Sequence, residues 1–194
     1  MELFLVRHTE TEQNGEARCI GQTDVPLSEA GKQHIHLVSA RLVALKPECV
    51  ITSDMERCIA LAQSIASQLG LEPELSRAWR EVNFGQWENR SWDDIERRDS
   101  IAFQAWMNDF VRVTPPDGES FQSLHYRISL QMDLLLQRPE ERFVVVTHAG
   151  PIRAALCYAI GLPLQRAFSI DVAFGGIVHL QHQNGQWSLH GLNN

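Results

Sequence analysis

The chain has 194 residues, enough for one domain with a substantial hydrophobic core. Its composition, 44% hydrophobic and 21% charged, is typical of a globular protein and excludes a disordered or fibrous chain. The net charge of −7 argues against a nucleic-acid partner, and it means that an anionic substrate would need a local cluster of arginines.

The first seventy residues predict two buried strands and two helices. Continuous apolar runs at residues 3–6 and 49–51 are typical of strands in a parallel sheet. Ser28 is expected to cap the first helix. The apolar stripe of that helix consists of Ile35, Val38, Leu42 and Leu45.

The second helix is expected to start at a capping box. In residues 53–56, Ser53 would be the cap and Glu56, three residues later, would complete the box. Gly70 is expected to end this helix. The order strand, helix, strand, helix predicts an α/β fold with parallel strands.

The middle of the chain has weaker periodicity. Residues 79–116 are rich in Trp, Arg and Asp, and we expect an excursion from the sheet with a helix near 93–110. The turn-forming residues 115–118 end it, so that about 82–118 form an inserted lid-like segment. A further helix is expected at 120–136.

The last third predicts a third buried strand and a terminal pair. The strand at residues 143–146 leads into a helix at 151–160, and two strands follow near 176–180 and 187–189. We therefore predict a single domain, residues 1–194, folded as a three-layer α/β sandwich. Its mainly parallel sheet carries helices on both faces and a small inserted helical lid segment.

Cysteine usage and hydropathy indicate a reduced compartment and no membrane partner. The four cysteines show no zinc-ligand or CxxC spacing, as is typical of a cytosolic protein of this size. No apolar run approaches the roughly 20 residues that cross a bilayer. We expect a cytoplasmic protein.

Charged and titratable residues follow three of the predicted strands. Arg7 and His8 end the first strand, Arg57 lies one turn past the second, and His148 ends the third. Because ligands bind at the carboxyl ends of parallel strands, these groups are expected to converge. Taken singly, an arginine after a strand is usually a surface charge, and a histidine at a strand end is more often a hydrogen-bonded structural residue than a catalyst.

The position of Arg57 indicates an anion. A cation in the first turns of a helix opposes the helix dipole at a cost of about 0.3–1 kcal/mol, which a bound anion would offset. A second helix begins near His148, where free N–H groups favour phosphate. Arginines, histidines and helix N-termini together predict a phosphoryl-group site.

The motifs that carry this chemistry resemble those of the histidine phosphatase superfamily, the phosphoglycerate-mutase-like proteins. They occur in the family's order and cover nearly the whole chain. The matching stretches are LVRHTET at residues 5–11 with Asn14, DVPLS at 24–28 with Gly31, SDMER at 53–57, Glu81 with FGQWE at 84–88, and VTHAG at 146–150.

The resemblance assigns a role to each matching residue. It implies that His8 is the nucleophile, that Glu81 is the proton donor, and that Asn14 is a further phosphate contact. The remaining residues of the implied phosphate pocket are Arg7, Arg57 and His148. No cofactor and no metal ion is implied.

Two positions depart from the family pattern. Thr9 stands where the family usually has glycine, which bears on the backbone path beside His8 and adds a hydroxyl near the phosphate. Ala149 replaces another frequent glycine. The chemistry itself is consistent: Arg7 and Arg57 disfavour an imidazolium, so they help to keep His8 neutral and nucleophilic.

The aromatic residues of the middle segment admit two interpretations. Trp92, Phe103, Trp106 and Phe110 are either ordinary core or a lid that recognises the alcohol part of a phosphate ester. Packing alone is the commoner outcome for such a stripe.

The predicted activity is hydrolysis of a small phosphate monoester through a phospho-histidine, and a homo-oligomer is left open. Within the superfamily, residues 84–88, 105–109 and 117–122 most resemble alpha-ribazole phosphatases. A broad-specificity sugar or nucleotide phosphatase, a phosphoglycerate mutase and a non-catalytic phospho-ligand module are the alternatives. The chain is short for a mutase lid, and a binding module needs no proton donor.

Overall fold

A computed structural model describes residues 1–13 and 17–193. These residues contain a six-stranded sheet with the order β3–β2–β4–β1–β5–β6. Strands β1 to β4 pair in parallel, while β5 runs antiparallel to both β1 and β6. The strands are β1 Glu2–Arg7, β2 Cys49–Thr52, β3 Glu74–Leu75, β4 Arg142–Thr147, β5 Ile177–Gln183 and β6 Gln186–Gly191.

Helices cover both faces of this sheet. They are α1 Glu29–Ala44, α2 Glu56–Leu69, α3 Trp92–Arg98, α4 Ser100–Asn108, α5 Phe121–Leu135 and α6 Ala149–Ile160. Leu3 and Leu5 of β1 pack in the core shared with α5 and α6, whereas Phe4 and Val6 pack in the core shared with α1 and α2. Strict alternation along a strand buried on both faces produces these two cores. The predicted three-layer α/β sandwich is confirmed.

The helix cap predicted at Ser28 and the helix end predicted at Gly70 are confirmed, and α5 and α6 use the same two devices. The Ser28 hydroxyl accepts a hydrogen bond from the Gly31 N–H at 3.0 Å, and Ser120 caps α5 in the same way. Gly70 and Gly161 end α2 and α6 in the left-handed conformation, with φ of 68° and 66°. Helix α6 begins at Ala149, two residues before the predicted start, since Pro151 is tolerated within a first turn.

The predicted capping box at residues 53–56 is wrong. Met55 is the N-cap of α2 and makes no side-chain capping bond. The Glu56 N–H instead donates to the Asp24 carboxylate at 3.2 Å. The Ser53 hydroxyl forms a hydrogen bond with His148 Nε2, 2.9 Å away, and does not cap the helix. A contact distant in sequence has therefore replaced the local cap.

The single helix predicted near 93–110 is also wrong, because the chain breaks between α3 and α4. Asp99 has φ −123° and ψ 37°, outside the helical region. Its carboxylate accepts a hydrogen bond from Arg90 at 2.7 Å, and Arg90 also contacts Asp94 in α3. This ion pair ties the break to the start of α3. No helix of the described ranges could span a membrane.

Candidate active site

The predicted convergence occurs at the carboxyl edge of the sheet. Strand β4 lies between β1 and β2, so the residues that follow these three strands are neighbours. They open onto a cavity of about 390 Å³. Its lining residues are Arg7, His8, Thr11, Gln13, Ala17, Arg18, Ile20, Arg57, Glu81, His148 and Phe174.

His8 is buried and its tautomer is fixed by the backbone. Its Nδ1 lies 2.8 Å from the carbonyl oxygen of Thr9. Because a carbonyl only accepts, Nδ1 carries the proton and Nε2 keeps its lone pair. Burial, followed by the charges of Arg57 and Arg7, holds the pKa of His8 well below its usual value. The ring is thus neutral, with the lone pair of Nε2 available.

His148 is the second buried imidazole of the site. Arg57 Nε donates to its Nδ1 at 3.3 Å, so its Nε2 carries the proton and donates to Ser53 Oγ at 2.9 Å. Burial and then the charge of Arg57 lower the pKa of His148 well below its usual value. The rings of His8 and His148 meet edge to face, with centroids 5.2 Å apart.

Arg57 is a buried cation, 2% exposed, held by carbonyl groups. Its Nη1 donates to Thr23 O at 2.7 Å and its Nη2 to Gly21 O at 2.6 Å. Each terminal nitrogen carries two hydrogens, so one N–H on each remains after these bonds. These are the fork-like donors that suit phosphate oxygens.

Arg7 contributes a second cation with a buried donor to spare. Its Nη1 donates to Val172 O at 2.7 Å, and its guanidinium lies 3.6 Å from the ring centroid of Phe174. Its Nε is buried and has no hydrogen-bond partner among the described residues. Burial lowers the pKa of Arg7 to about 10. An anion in the cavity would offset the cost of burying the charge of Arg7.

Glu81 reaches the cavity from the loop between two short 3-10 helices, Arg77–Trp79 and Gly85–Trp87. Its carboxylate accepts the Gly150 N–H at 3.0 Å and the Val82 N–H at 2.8 Å. A Cβ added to Gly150 would overlap Glu81 Oε1, so glycine is needed for this approach. Glu81 is therefore tied to the first turn of α6 beside His148.

One of the predicted site residues, Thr9, does not line the cavity. The Thr9 side chain is fully buried, and its hydroxyl has no hydrogen-bond partner in the described ranges. Thr9 acts on the site through its carbonyl, and its φ is not positive, so a side chain is tolerated there. Asn14 lies outside the described residues.

The outer wall of the cavity was not predicted from the sequence. Gln13, Ala17, Arg18, Ile20 and Phe174 line it, and none of them belongs to a motif with a chemical signal. The Ser53 hydroxyl and the carbonyls that hold Arg57 were also missed. A carbonyl leaves no trace in side-chain identity, and Ser53 appeared to be explained by a local cap.

Three of the four aromatics of the middle segment, Trp92, Phe103 and Trp106, share one cluster, and Phe110 packs against the main core. Phe103 is buried with Trp87, and Trp92 stacks on Trp106 with ring centroids 5.7 Å apart. Trp106 also meets Phe110, at 6.4 Å. Of the described residues that line the cavity, none belongs to this group. The geometry favours the packing interpretation over a lid on the site.

The sequence-family model of the histidine phosphatase superfamily (branch 1) matches residues 3–194 of this chain. The chain belongs to this superfamily. The adenosylcobalamin/alpha-ribazole phosphatase of Escherichia coli K12 is 26% identical over 194 residues, covering 100% of this chain and 91% of the relative. A protein named probable phosphoglycerate mutase GpmB, from Cronobacter sakazakii, is 30% identical over 196 residues, covering 98% and 89%.

Solved structures agree on the fold. The alpha-ribazole phosphatase from Shigella flexneri superimposes with a TM-score of 0.93 at 26% identity, covering 100% of this chain and 96% of that one. The resemblance inferred from the motifs is thus confirmed, both for the superfamily and for relatives named alpha-ribazole phosphatase. Relatives under two activity names, at 26% and 30% identity, support an enzyme of this superfamily without choosing between a phosphatase and a mutase.

Proposed function

We propose that this histidine phosphatase superfamily member hydrolyses a phosphate monoester through a phospho-histidine on His8. The observation that carries the proposal is a buried, neutral His8 whose Nδ1 is committed to Thr9 O, which leaves Nε2 to attack. The side chains of Arg7 and Arg57 line the same cavity. A dianionic phosphoryl group would supply the negatively charged acceptor oxygens that these two cations require.

The first step forms the P–N bond and breaks the ester P–O bond. His8 Nε2 attacks phosphorus, and the guanidinium groups of Arg7 and Arg57 stabilise the charge on the non-bridging oxygens. Glu81, in its protonated form, gives its proton to the leaving alkoxide. The alcohol departs and His8 holds the phosphoryl group.

The second step returns the enzyme to its starting state. The Glu81 carboxylate takes a proton from a water molecule, whose oxygen attacks phosphorus while the P–N bond to His8 breaks. Orthophosphate is released, and Glu81 is protonated again for the next turnover. In the free site, burial and then the charge of Arg57 keep both imidazoles neutral. While His8 holds the phosphoryl group with Nδ1 still protonated, the positive charge on its ring is offset by the negative phosphoryl oxygens, and cleavage of the P–N bond returns the ring to its neutral form.

The substrate that we propose is alpha-ribazole 5′-phosphate, converted to alpha-ribazole in cobalamin biosynthesis. Its support is the similarity to the proteins of Escherichia coli and Shigella flexneri that carry this activity in their names, over the full length of this chain. Phe174 is the aromatic side chain at the cavity wall. It is the candidate for contact with a flat apolar base, a role that we first considered for the middle segment.

Phosphoglycerate mutase activity is the second candidate function, favoured by the similarity to proteins named probable phosphoglycerate mutase GpmB. A mutase would transfer the phosphoryl group from His8 to a second hydroxyl instead of to water. Phosphate release and interconversion of the two phosphoglycerates, measured with a bisphosphoglycerate primer, separate these outcomes.

The mechanism is tested by His8→Ala and rapid quench with labelled substrate. The wild-type protein should yield an acid-labile, base-stable phospho-enzyme, while His8→Ala should fold, form none and lose turnover. Near-normal turnover by His8→Ala would contradict the mechanism.

The substrate is tested by comparing kcat/KM values for alpha-ribazole phosphate, simple sugar phosphates, 3-phosphoglycerate and an aryl phosphate. If alpha-ribazole phosphate is no better than the sugar phosphates, the substrate proposal fails. A broad-specificity phosphatase then takes its place, and the phospho-histidine mechanism is unaffected.

A further inference from the structure

We infer that Glu88 is a positioning residue that sets the phosphate-binding guanidinium of Arg57 through the backbone of residues 21–23. The inference rests on the proposed phosphoryl-transfer function. Glu88 itself does not line the cavity. Its effect on catalysis would be transmitted by the loop that lies between it and Arg57.

The Glu88 carboxylate is an acceptor for one short loop. It accepts the N–H groups of Gly21 at 3.1 Å, Gln22 at 2.8 Å and Thr23 at 3.0 Å. It also accepts the Thr23 hydroxyl at 2.7 Å and the Phe84 N–H at 3.1 Å. Hydrogen bonds to an ionised acceptor are about twice as strong as neutral ones, so this carboxylate fixes the loop firmly.

The same loop holds Arg57 from its other side. Its N–H groups point at Glu88, and the carbonyls of Gly21 and Thr23 accept from the two terminal nitrogens of Arg57. Each peptide unit is planar, so turning an N–H away from Glu88 also turns a neighbouring carbonyl. Loss of the Glu88 anchor would therefore move the acceptors on which the Arg57 guanidinium rests.

This indirect arrangement keeps the charge of Arg57 usable. Among the described residues, the carboxylate paired with Arg57 is that of Asp24, and it lies 3.8 Å away and is 44% exposed. A carboxylate in direct bidentate contact would occupy the donors that a phosphate needs. Carbonyls fix the geometry without adding a negative charge, while the anion of Glu88 stays on the far side of the loop.

The loop also contacts the segment that carries the proton donor. Gln22 Nε2 donates to Glu81 O at 3.1 Å, and Gly21 approaches so closely that an added Cβ would overlap Val82 O. A change at Glu88 could therefore affect both Arg57 and the segment that carries Glu81. To isolate the effect on Arg57, the assay must depend little on Glu81.

A double-mutant cycle with Glu88→Gln and Arg57→Met tests the inference. The substrate is an aryl phosphate with an acidic phenol, which needs little help from Glu81, and kcat/KM reports only steps up to phosphoryl transfer. Because misplacement of a catalytic group by about 1 Å can cost on the order of 100-fold, Glu88→Gln should lower kcat/KM by about 10- to 100-fold in the Arg57 protein. In the Arg57→Met protein the further loss should be under about threefold. Equal losses in both backgrounds would overturn the inference.

Orthovanadate binding gives a readout that does not require turnover. Its dissociation constant should rise at least about tenfold in Glu88→Gln, because the anion-binding donors of Arg57 have moved. The matched control is Glu119→Gln. That carboxylate also accepts a loop N–H, from Asn83 at 3.0 Å, but it pairs with Arg127 and does not contact residues 21–23. Equal weakening in both variants would reduce Glu88 to a general structural role.

A milder variant keeps the test decisive if Glu88→Gln does not fold. Thr23→Val removes only the hydroxyl bond to Glu88 and leaves the backbone bonds in place. It should weaken orthovanadate binding by a few-fold, with no effect in the Arg57→Met background. If the wild-type protein binds orthovanadate but hydrolyses no ester, the proposed function fails separately. The Glu88 inference is then judged on binding alone.

Discussion

Two neutral imidazoles lie among buried cations in this site, and each residue has a physical reason for its state. His8 and His148 are 6% and 1% exposed, and Arg57 contacts His148 directly. In such a place a protonated ring would face both desolvation and repulsion. In the mechanism that we propose, His8 can therefore attack without first losing a proton.

Glu81→Gln should lower kcat/KM more for a substrate with a strongly basic leaving group than for one with a weakly basic leaving group. A leaving alkoxide needs a proton, whereas the anion of an acidic phenol does not, so kcat/KM should fall by about 10²- to 10⁴-fold for an alkyl phosphate and by under about tenfold for the aryl phosphate. Steady-state kinetics on both esters measure this. Equal losses would assign Glu81 a positioning role in place of proton transfer.

Gly150→Ala should act on the same carboxylate without touching the substrate. The new Cβ would overlap Glu81 Oε1, which is the movable end of a side chain, so the protein should still fold. The displaced Glu81 should cost activity selectively on alkyl phosphates, while orthovanadate binding changes by less than about threefold. A melting temperature many degrees lower, with equal loss on all esters, would contradict this explanation.

At the scale of elements, segment 82–118 builds a small core beside the site. Trp106 stacks on Trp92, and Trp87 and Phe103 are buried within the same cluster. Trp106→Leu should lower the free energy of unfolding by about 1–3 kcal/mol. The ratio of kcat/KM between alpha-ribazole phosphate and an aryl phosphate should stay the same. Phe174→Leu, which alters the cavity wall, serves as the comparison variant. A change in the kcat/KM ratio caused by Trp106→Leu would restore the lid interpretation.

The elements with continuous patterns were the predictable ones. The runs in β1, β2 and β4 have no polar interruption, and α5 has both a cap and a complete apolar stripe. Prediction failed where a distant partner competed with a local signal. Ser53 bonds His148 instead of capping α2, and the acidic side chain of Asp99 pairs with Arg90 at the break between α3 and α4.

The site was predictable to the extent that its chemistry resides in side chains at strand ends. Arg7, His8, Arg57 and His148 met these conditions, and Glu81 was found through the family motif. The supports of these residues were not predictable, because they are carbonyls and N–H groups of loops. Phe174 lies in the loop before β5, and the pairing of β5 with β1 places this loop beside the cavity, which no local pattern around Phe174 indicates.

At the scale of the whole molecule, the acidic chain encloses a site built around cations. The net charge is −7, yet at the edge of the sheet Arg57 is buried and Arg7 is half-buried. Folding must therefore bring these cations and two uncharged histidines out of water together. The histidines make the stability of the fold depend on pH.

Stability should fall as the pH drops below about 6.5, the usual pKa of histidine. His8 and His148 have pKa values well below this in the folded protein, so below pH 6.5 the unfolded chain binds more protons and is favoured. Each buried histidine should contribute a slope of up to about 1.4 kcal/mol per pH unit. Urea unfolding at pH 7.5, 6.5, 5.5 and 5.0 measures the dependence.

The variant His8→Asn isolates the contribution of one of these two histidines to the pH dependence of stability. It removes a group that titrates differently in the two states, so the slope between pH 6.5 and 5.0 should be smaller by up to about 1.4 kcal/mol per pH unit. His125, whose pKa burial also lowers, titrates in both proteins and cancels in the difference. An unchanged slope in His8→Asn would mean that His8 accepts a proton in the folded state as readily as in the unfolded one. A neutral nucleophile at that pH would then be excluded.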